Sequence, residues 1–120
     1  VSTISEWREV SFGAFGEVGY VWSARELIEL PADSGTRPRL VEFDEDLMFV
    51  FRLVDGWVAV CETSVIRLVG SRETGRVELA DVVDSVGWEG GELIVRDVRS
   101  GVTRLEVDGE RLRTRPERNP

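Results

Sequence analysis

The chain contains no histidine and no lysine. Mechanisms built on an imidazole base or an imidazole ligand are therefore closed to it. A serine–lysine dyad is closed as well, and no G-x-S-x-G nucleophile elbow occurs. One cysteine, Cys61, excludes an internal disulfide and a multi-cysteine zinc site. No apolar run approaches the ~20 residues of a membrane-spanning helix. The opening Val1–Arg8 lacks the charged start and apolar core of a secretory leader. Val1 reads either as a translated GTG start or as the edge of a trimmed sequence. With a lone thiol and no leader pattern, the expected compartment is the cytoplasm.

What is present describes an ordinary globular chain. Its 120 residues and 13.5 kDa are expected to form one domain over 1–120. At this size roughly two-thirds of the unfolded surface is hidden on folding, enough for a core without staples. Apolar residues make up 42% and charged residues 32%, which excludes a disordered or collagen-like chain. Against 15 basic residues stand 23 acids, a net charge of -8. That sign opposes non-specific affinity for nucleic acid or anionic membrane and suits a basic partner. Every basic residue is arginine. Codon usage in a GC-rich, actinobacterial genome accounts for this; selection of guanidinium forks for binding is the competing explanation.

Local patterns point to an α+β, mainly β fold: an antiparallel, hairpin-built sheet or partly open barrel with one or two short helices. Residues 1–38 read as a mixed segment. Ser23-Ala24-Arg25-Glu26 has the capping-box pattern, followed by Leu27, Ile28 and Leu30 and stopped by Pro31, so a short helix is expected near 24–30. The stretch from Pro31 to Pro38 carries turn residues and reads as a loop. The β core is expected over 39–115. Leu47–Val54 is apolar on both alternating faces, as a central strand would be. Asp55-Gly56 reads as a type I′ turn, pairing Leu53 with Val58 and Phe51 with Val60. Val65–Val69 follows as a third strand. Leu79, Val82, Val83 and Val86 recur at helical spacing before Gly87, predicting a short helix near 78–86, although valines lose rotamer freedom in helices. Gly90-Gly91, Ser100-Gly101 and Asp108-Gly109 mark further reversals, for six or seven strands in all. Residues 116–120 read as a tail. No fixed-period repeat is evident.

The candidate chemistry is sparse. Glu42-Phe43-Asp44-Glu45-Asp46 is the densest acidic run, but it lacks the mid-loop glycine and following glutamate of a calcium loop, so no metal is expected. Gly13, Gly16 and Gly19 do not form a dinucleotide fingerprint, and no cofactor is expected. Cys61 lies in an apolar run and has no base to activate it. No carboxylate pair stands out for glycoside chemistry. The chain is therefore read as a non-enzyme.

Charge distribution is more informative. Residues 1–95 hold 8 arginines and 18 acids, whereas residues 96–120 hold 7 arginines and 5 acids. The Asp108-Gly109 reversal predicts Glu106 opposite Arg111 and Arg104 opposite Arg113, with Asp97 beside Arg104. One sheet face would then carry Asp97, Arg104, Glu106, Arg111, Arg113 and Arg115, either as a solvated outer face or as a docking surface for an acidic partner. Of four tryptophans, Trp7, Trp22 and Trp57 read as core, while Trp88, beside Glu89-Gly90-Gly91, reads either as buried or as an exposed anchor.

The function these features favour is a non-catalytic protein-binding module, specifically a small acidic inhibitor of the immunity-protein or antitoxin type. Its expected partner is a protein, with a basic toxin as the concrete case, and neither nucleic acid nor membrane. The expected contact residues are Glu42, Asp44, Glu45, Asp46, Trp88, Glu89, Arg104, Arg111 and Arg113, with Asp81, Asp84 and Glu92 as further acids. Two alternatives compete: a small-ligand carrier with an apolar pocket of Phe49, Phe51, Trp57 and Leu93, and a structural assembly subunit.

Overall fold

A computed structural model describes residues 9–12, 19–30, 37–53 and 55–115. The described residues form twelve strands in three four-stranded antiparallel sheets, each a simple meander. Sheet A holds β1 (Glu9–Phe12), β2 (Gly19–Trp22), β3 (Glu26–Leu30) and β4 (Arg39–Glu42). Sheet B holds β5 (Leu47–Leu53), β6 (Gly56–Cys61), β7 (Ser64–Val69) and β8 (Arg72–Glu78). Sheet C holds β9 (Val83–Glu89), β10 (Glu92–Asp97), β11 (Val102–Asp108) and β12 (Arg111–Thr114). The sheets are open, not closed into a barrel. There is also a structural repeat, although none is evident from the residues. The second strands begin at Gly19, Gly56 and Glu92, so one unit recurs every 36–37 residues, the scale of repeat architectures.

The sheets stack with B in the middle. Trp57, Ala59, Cys61, Ile66 and Leu68 of sheet B pack with Tyr20, Trp22 and Leu27 of sheet A. From its opposite face Val58, Val60 and Val65 pack with Leu93, Val95, Leu105 and Leu112 of sheet C. β6 is buried along its whole length. This layering corrects the reading of Leu47–Val54 as a central strand. β5 is the edge of its sheet, and it is apolar on both faces because the whole sheet is sandwiched.

Neither predicted helix forms. The segment read as a helix near 24–30 is a tight reversal at Ser23–Arg25 leading into β3, with Leu27 opposite both Trp22 and Val41. The Ser23 N–H donates to the Glu26 main-chain carbonyl at 2.9 Å, so the backbone closes a turn where the capping pattern predicted a helix start. The segment read as a helix near 78–86 ends β8, crosses to the next sheet and begins β9. Leu79, Val83 and Val86 still reach the B–C core, but β-branched valines do so from an extended chain, where their rotamers are less restricted. Pro31–Pro38 lies largely outside the described residues, as do Trp7, Gly13, Gly16 and the tail at 116–120.

Turns set the register. Leu53 pairs with Gly56, Phe51 with Val58 and Phe49 with Val60. The pairing is displaced by two residues from the one expected of a centred Asp55-Gly56 turn, so Phe49–Leu53 keep their predicted faces, whereas an irregularity between Leu47 and Phe49 turns Leu47 to the face of Val50 and Cys61. Gly56 is enclosed by the neighbouring strand, and a Cβ there would run into the Leu68 carbonyl. Gly90 and Gly91, with φ of 58° and 83°, form a two-residue type I′ loop. At Gly109, φ of 61° at the first loop position alone gives the type II′ pattern.

Candidate functional site

The predicted contact residues are distributed over three places. Glu42 ends β4, and Asp44, Glu45 and Asp46 form the crossing from sheet A to sheet B. Much of this acidity is used internally. Glu45 Oε1 accepts the Thr63 N–H at 2.7 Å and the Thr63 hydroxyl at 2.8 Å, while Oε2 accepts the Ser64 hydroxyl at 2.9 Å. Burial pushes the Glu45 carboxyl upward, but the Thr63 and Ser64 hydrogen bonds and nearby Arg76 outweigh it and hold the group below its ordinary range. Asp46 pairs with Arg25 at 3.0 Å, and Asp44 lies 3.7 Å from Arg76. The run thus fastens β5 to the turn between β6 and β7. No group of three or more acidic or cysteine side chains suited to a metal occurs among the described residues.

Arg104, Arg111 and Arg113 share the outer face of sheet C with Glu92 and Glu106. Register here differs from the predicted one by two residues: Glu106 stands opposite Arg113, Asp108 opposite Arg111 and Arg104 opposite Ile94. The expected Arg104–Arg113 opposition is therefore absent. Arg113 instead pairs with Glu106 at 3.1 Å and Asp108 at 3.0 Å. Arg104 lies 3.7 Å from Glu92, and Arg115 stands 2.8 Å from the same carboxylate. Asp97 does not join this face. Its Oδ1 accepts the Arg99 and Gly101 N–H groups and shapes the β10–β11 turn. The face is a lattice of ion pairs between exposed arginines and acids that, Glu92 apart, are themselves solvent-facing; the exposed pairs are each worth little singly.

Trp88 and Glu89 form the third place, at the end of edge strand β9. Trp88 is opposite Leu93 on the face toward sheet B, whereas Glu89 is on the arginine-bearing face. The Trp88 ring meets Phe51 edge to face, with centroids 5.5 Å apart, yet remains 40% exposed. Phe49, Phe51, Leu53 and Val86 are half-buried on the same side, packed against the B–C core. Phe49, Phe51, Trp57 and Leu93 do not converge on one pocket. Trp57 lies on the other face of sheet B, against Tyr20 at 4.8 Å and beneath the Arg52 guanidinium at 4.7 Å.

The opposite side of the B–C stack is laced shut, a feature that sequence reasoning missed. Arg67 is buried at 2% exposure on the C-facing side of β7. Its Nε and Nη2 donate to the Gly109 carbonyl, Nη1 to the Leu68 carbonyl at 2.7 Å, and Nη2 to Asp55 at 2.7 Å. Asp55 is held below its ordinary range, chiefly by that hydrogen bond and against some desolvation. Thr74 donates to the Glu110 carbonyl at 2.6 Å, and Gly75 leaves room for Leu112, whose backbone nitrogen would lie 3.1 Å from an added Cβ. An arginine within an apolar strand, facing a glycine across the sheet, was the available signal for this clamp.

Cys61 is completely buried, and burial is the main cause of its thiol being pushed up to about 12. As the neutral thiol it is a poor nucleophile. Comparisons with known protein families, curated proteins and solved structures give no match.

Proposed function

We propose that the chain is a non-catalytic protein-binding module, with a small acidic inhibitor of the immunity-protein or antitoxin type as its specific form. The observation that carries the reading is Trp88, a large aromatic 40% exposed at the open side of the B–C stack. Aromatic anchors of this kind concentrate binding energy when a partner desolvates them. The net charge of -8 supports a basic partner, reached by fast and salt-sensitive association. With Cys61 sealed in the core and Glu45 saturated by Thr63 and Ser64, these groups act as structure. The test is to mix the purified chain with the separately produced product of the neighbouring gene and follow association by calorimetry and stopped flow. A stoichiometric complex that forms more slowly as salt rises is expected. Failure to bind that protein, together with failure to protect cells from it, overturns the reading.

A second reading, an assembly subunit, is favoured by a different surface. On sheet A, Ile28 stands opposite Leu40, and Leu40 is 52% exposed on the face turned away from sheet B. Sedimentation across a concentration series separates the two, because only the assembly reading requires self-association.

A further inference from the structure

The β9 edge has a defined main-chain pattern. Glu89 and Glu92 flank the two-residue Gly90–Gly91 loop and stand opposite each other. Residues flanking such a loop exchange both main-chain hydrogen bonds, and the pattern then alternates along the pair. Glu89 and Gly87 therefore direct their N–H and C=O groups toward β10, whereas Trp88 and Val86 direct theirs to the free side. Among the described residues no main-chain partner meets Val86 or Trp88 on that side. The same stretch carries the exposed Trp88 and the bare Gly87, around which a Cβ would meet nothing within 4 Å.

We infer that β9 is a strand-addition site for an extended, basic segment of a partner protein, in which arginine or lysine alternates with apolar residues. The inference rests on the protein-binding reading and specifies its docking element. An added strand would satisfy the free groups of Val86 and Trp88 and continue sheet C by one strand. Because side chains alternate, its apolar residues would fall beside Val86, Trp88 and Phe51. Its basic residues would fall beside Glu89 and the open space over Gly87. The charged residues of β9 itself are acids only, Asp84 and Glu89, both exposed; the nearest cation on the sheet, Arg96, lies one strand in, opposite Ser85. A second copy of β9 would set acids against acids, which makes a basic strand the better occupant. The other outer edge of sheet C, β12, is held close to β8 through Leu112 and Gly75.

The probe is a short synthetic peptide of alternating arginine and valine, with a glutamate–valine peptide as its counterpart, titrated into the full chain and followed by amide NMR and tryptophan fluorescence. The arginine peptide is expected to bind saturably, slow hydrogen exchange at the Val86 and Trp88 amides, and shift Trp88 emission to the blue. Trp88→Ala is expected to weaken binding about thirtyfold, as for a central aromatic anchor. Gly87→Lys, which meets no steric obstacle, is expected to weaken it roughly threefold to fivefold, as for one exposed charge pair. Binding that leaves Val86 and Trp88 unprotected, or that Gly87→Lys leaves unchanged, overturns strand addition while the binding-module reading stands on its own partner assay. Equal binding of the glutamate peptide overturns the basic occupant. Absence of binding overturns the inference, as does a peptide-free dimer that already protects both amides.

Discussion

Trp57 and Trp88 share a residue type and a neighbourhood of β-strands, yet they occupy opposite regimes. Trp57 is 1% exposed between Tyr20 and Arg52, and Trp88 retains 40% of its surface in solvent. Trp57→Ala should therefore cost about 3–5 kcal/mol of stability, and Trp88→Ala about 1 kcal/mol, measured by urea denaturation. Comparable losses would show that Trp88 is core and not anchor. Sequence context marked Trp57, at the start of an apolar strand, as core but left Trp88, beside glycines, open between burial and exposure. Cys61 gives a sharper chemical contrast. A folded thiol pushed up to about 12 from 9.0 stays protonated while the unfolded thiol ionises. Stability from this group is thus complete below about pH 9 and declines as pH rises toward 12. A thiol-specific chromogenic reagent should label native protein only at the rate of unfolding, and prompt labelling at neutral pH would contradict the burial.

At the level of strands and turns, Arg67 links β7 to two reversals distant in sequence. Removing its guanidinium with Arg67→Met leaves the Gly109 and Leu68 carbonyls without their donor, and about 3–5 kcal/mol should be lost. Asp55→Asn tests the same clamp from its exposed end and should cost less, because solvent screens that carboxylate. Acid titration is the companion measurement. Asp55 and Glu45 are both held below their ordinary values of 3.8 and 4.5, so the stability they contribute is full above those values. It declines as pH falls beneath them and is exhausted once pH has passed the lowered folded values. Loss of the acid-side decline in a protein carrying Asp55→Asn and Glu45→Gln, followed by circular dichroism, is the expected result.

The legibility of the elements followed the range of the forces that make them. Gly90-Gly91 and Gly109 announced their turns because positive φ is a local requirement. Side-chain faces over Phe49–Leu53 and Trp57–Val60 survived an error of two residues in register because a strand repeats every two. The helices expected near 24–30 and 78–86 failed for a non-local reason. Leu27 and Val83 find partners in neighbouring strands or sheets, and that burial overrides a helical spacing or a capping pattern. The acidic run Glu42–Asp46 was visible as charge, but its attachment to Thr63, Ser64, Arg25 and Arg76 depends on how the sheets stack.

Across the whole molecule, repetition governs what each layer tolerates. Sheet B must be apolar on both faces, whereas sheet C ends the stack with the Arg104, Glu106 and Arg113 lattice. Leu93→Ala, in the B–C core, should cost about 3 kcal/mol, while Leu40→Gln on the outer face of sheet A should stay within about 0.5 kcal/mol. Thermal denaturation of the two variants checks both, and a large loss from Leu40→Gln would mean that its face is covered. The repeat itself was hidden because the three units share a strand pattern and not a motif. Gly19-Tyr20-Val21-Trp22, Gly56-Trp57-Val58-Ala59 and Glu92-Leu93-Ile94-Val95 are equivalent strands with little residue identity.

The uneven fastening of sheets B and C has a mechanical consequence. Arg67, Thr74 and the close Gly75–Leu112 approach act as the spine of a book, while Phe51 and Trp88 meet edge to face where its covers end. This asymmetry predicts hinged fluctuations, small at the bound margin and largest at the fore-edge, which amide hydrogen exchange along β9 and β12 would compare. Whatever wedges itself there works with the longest lever arm the molecule offers.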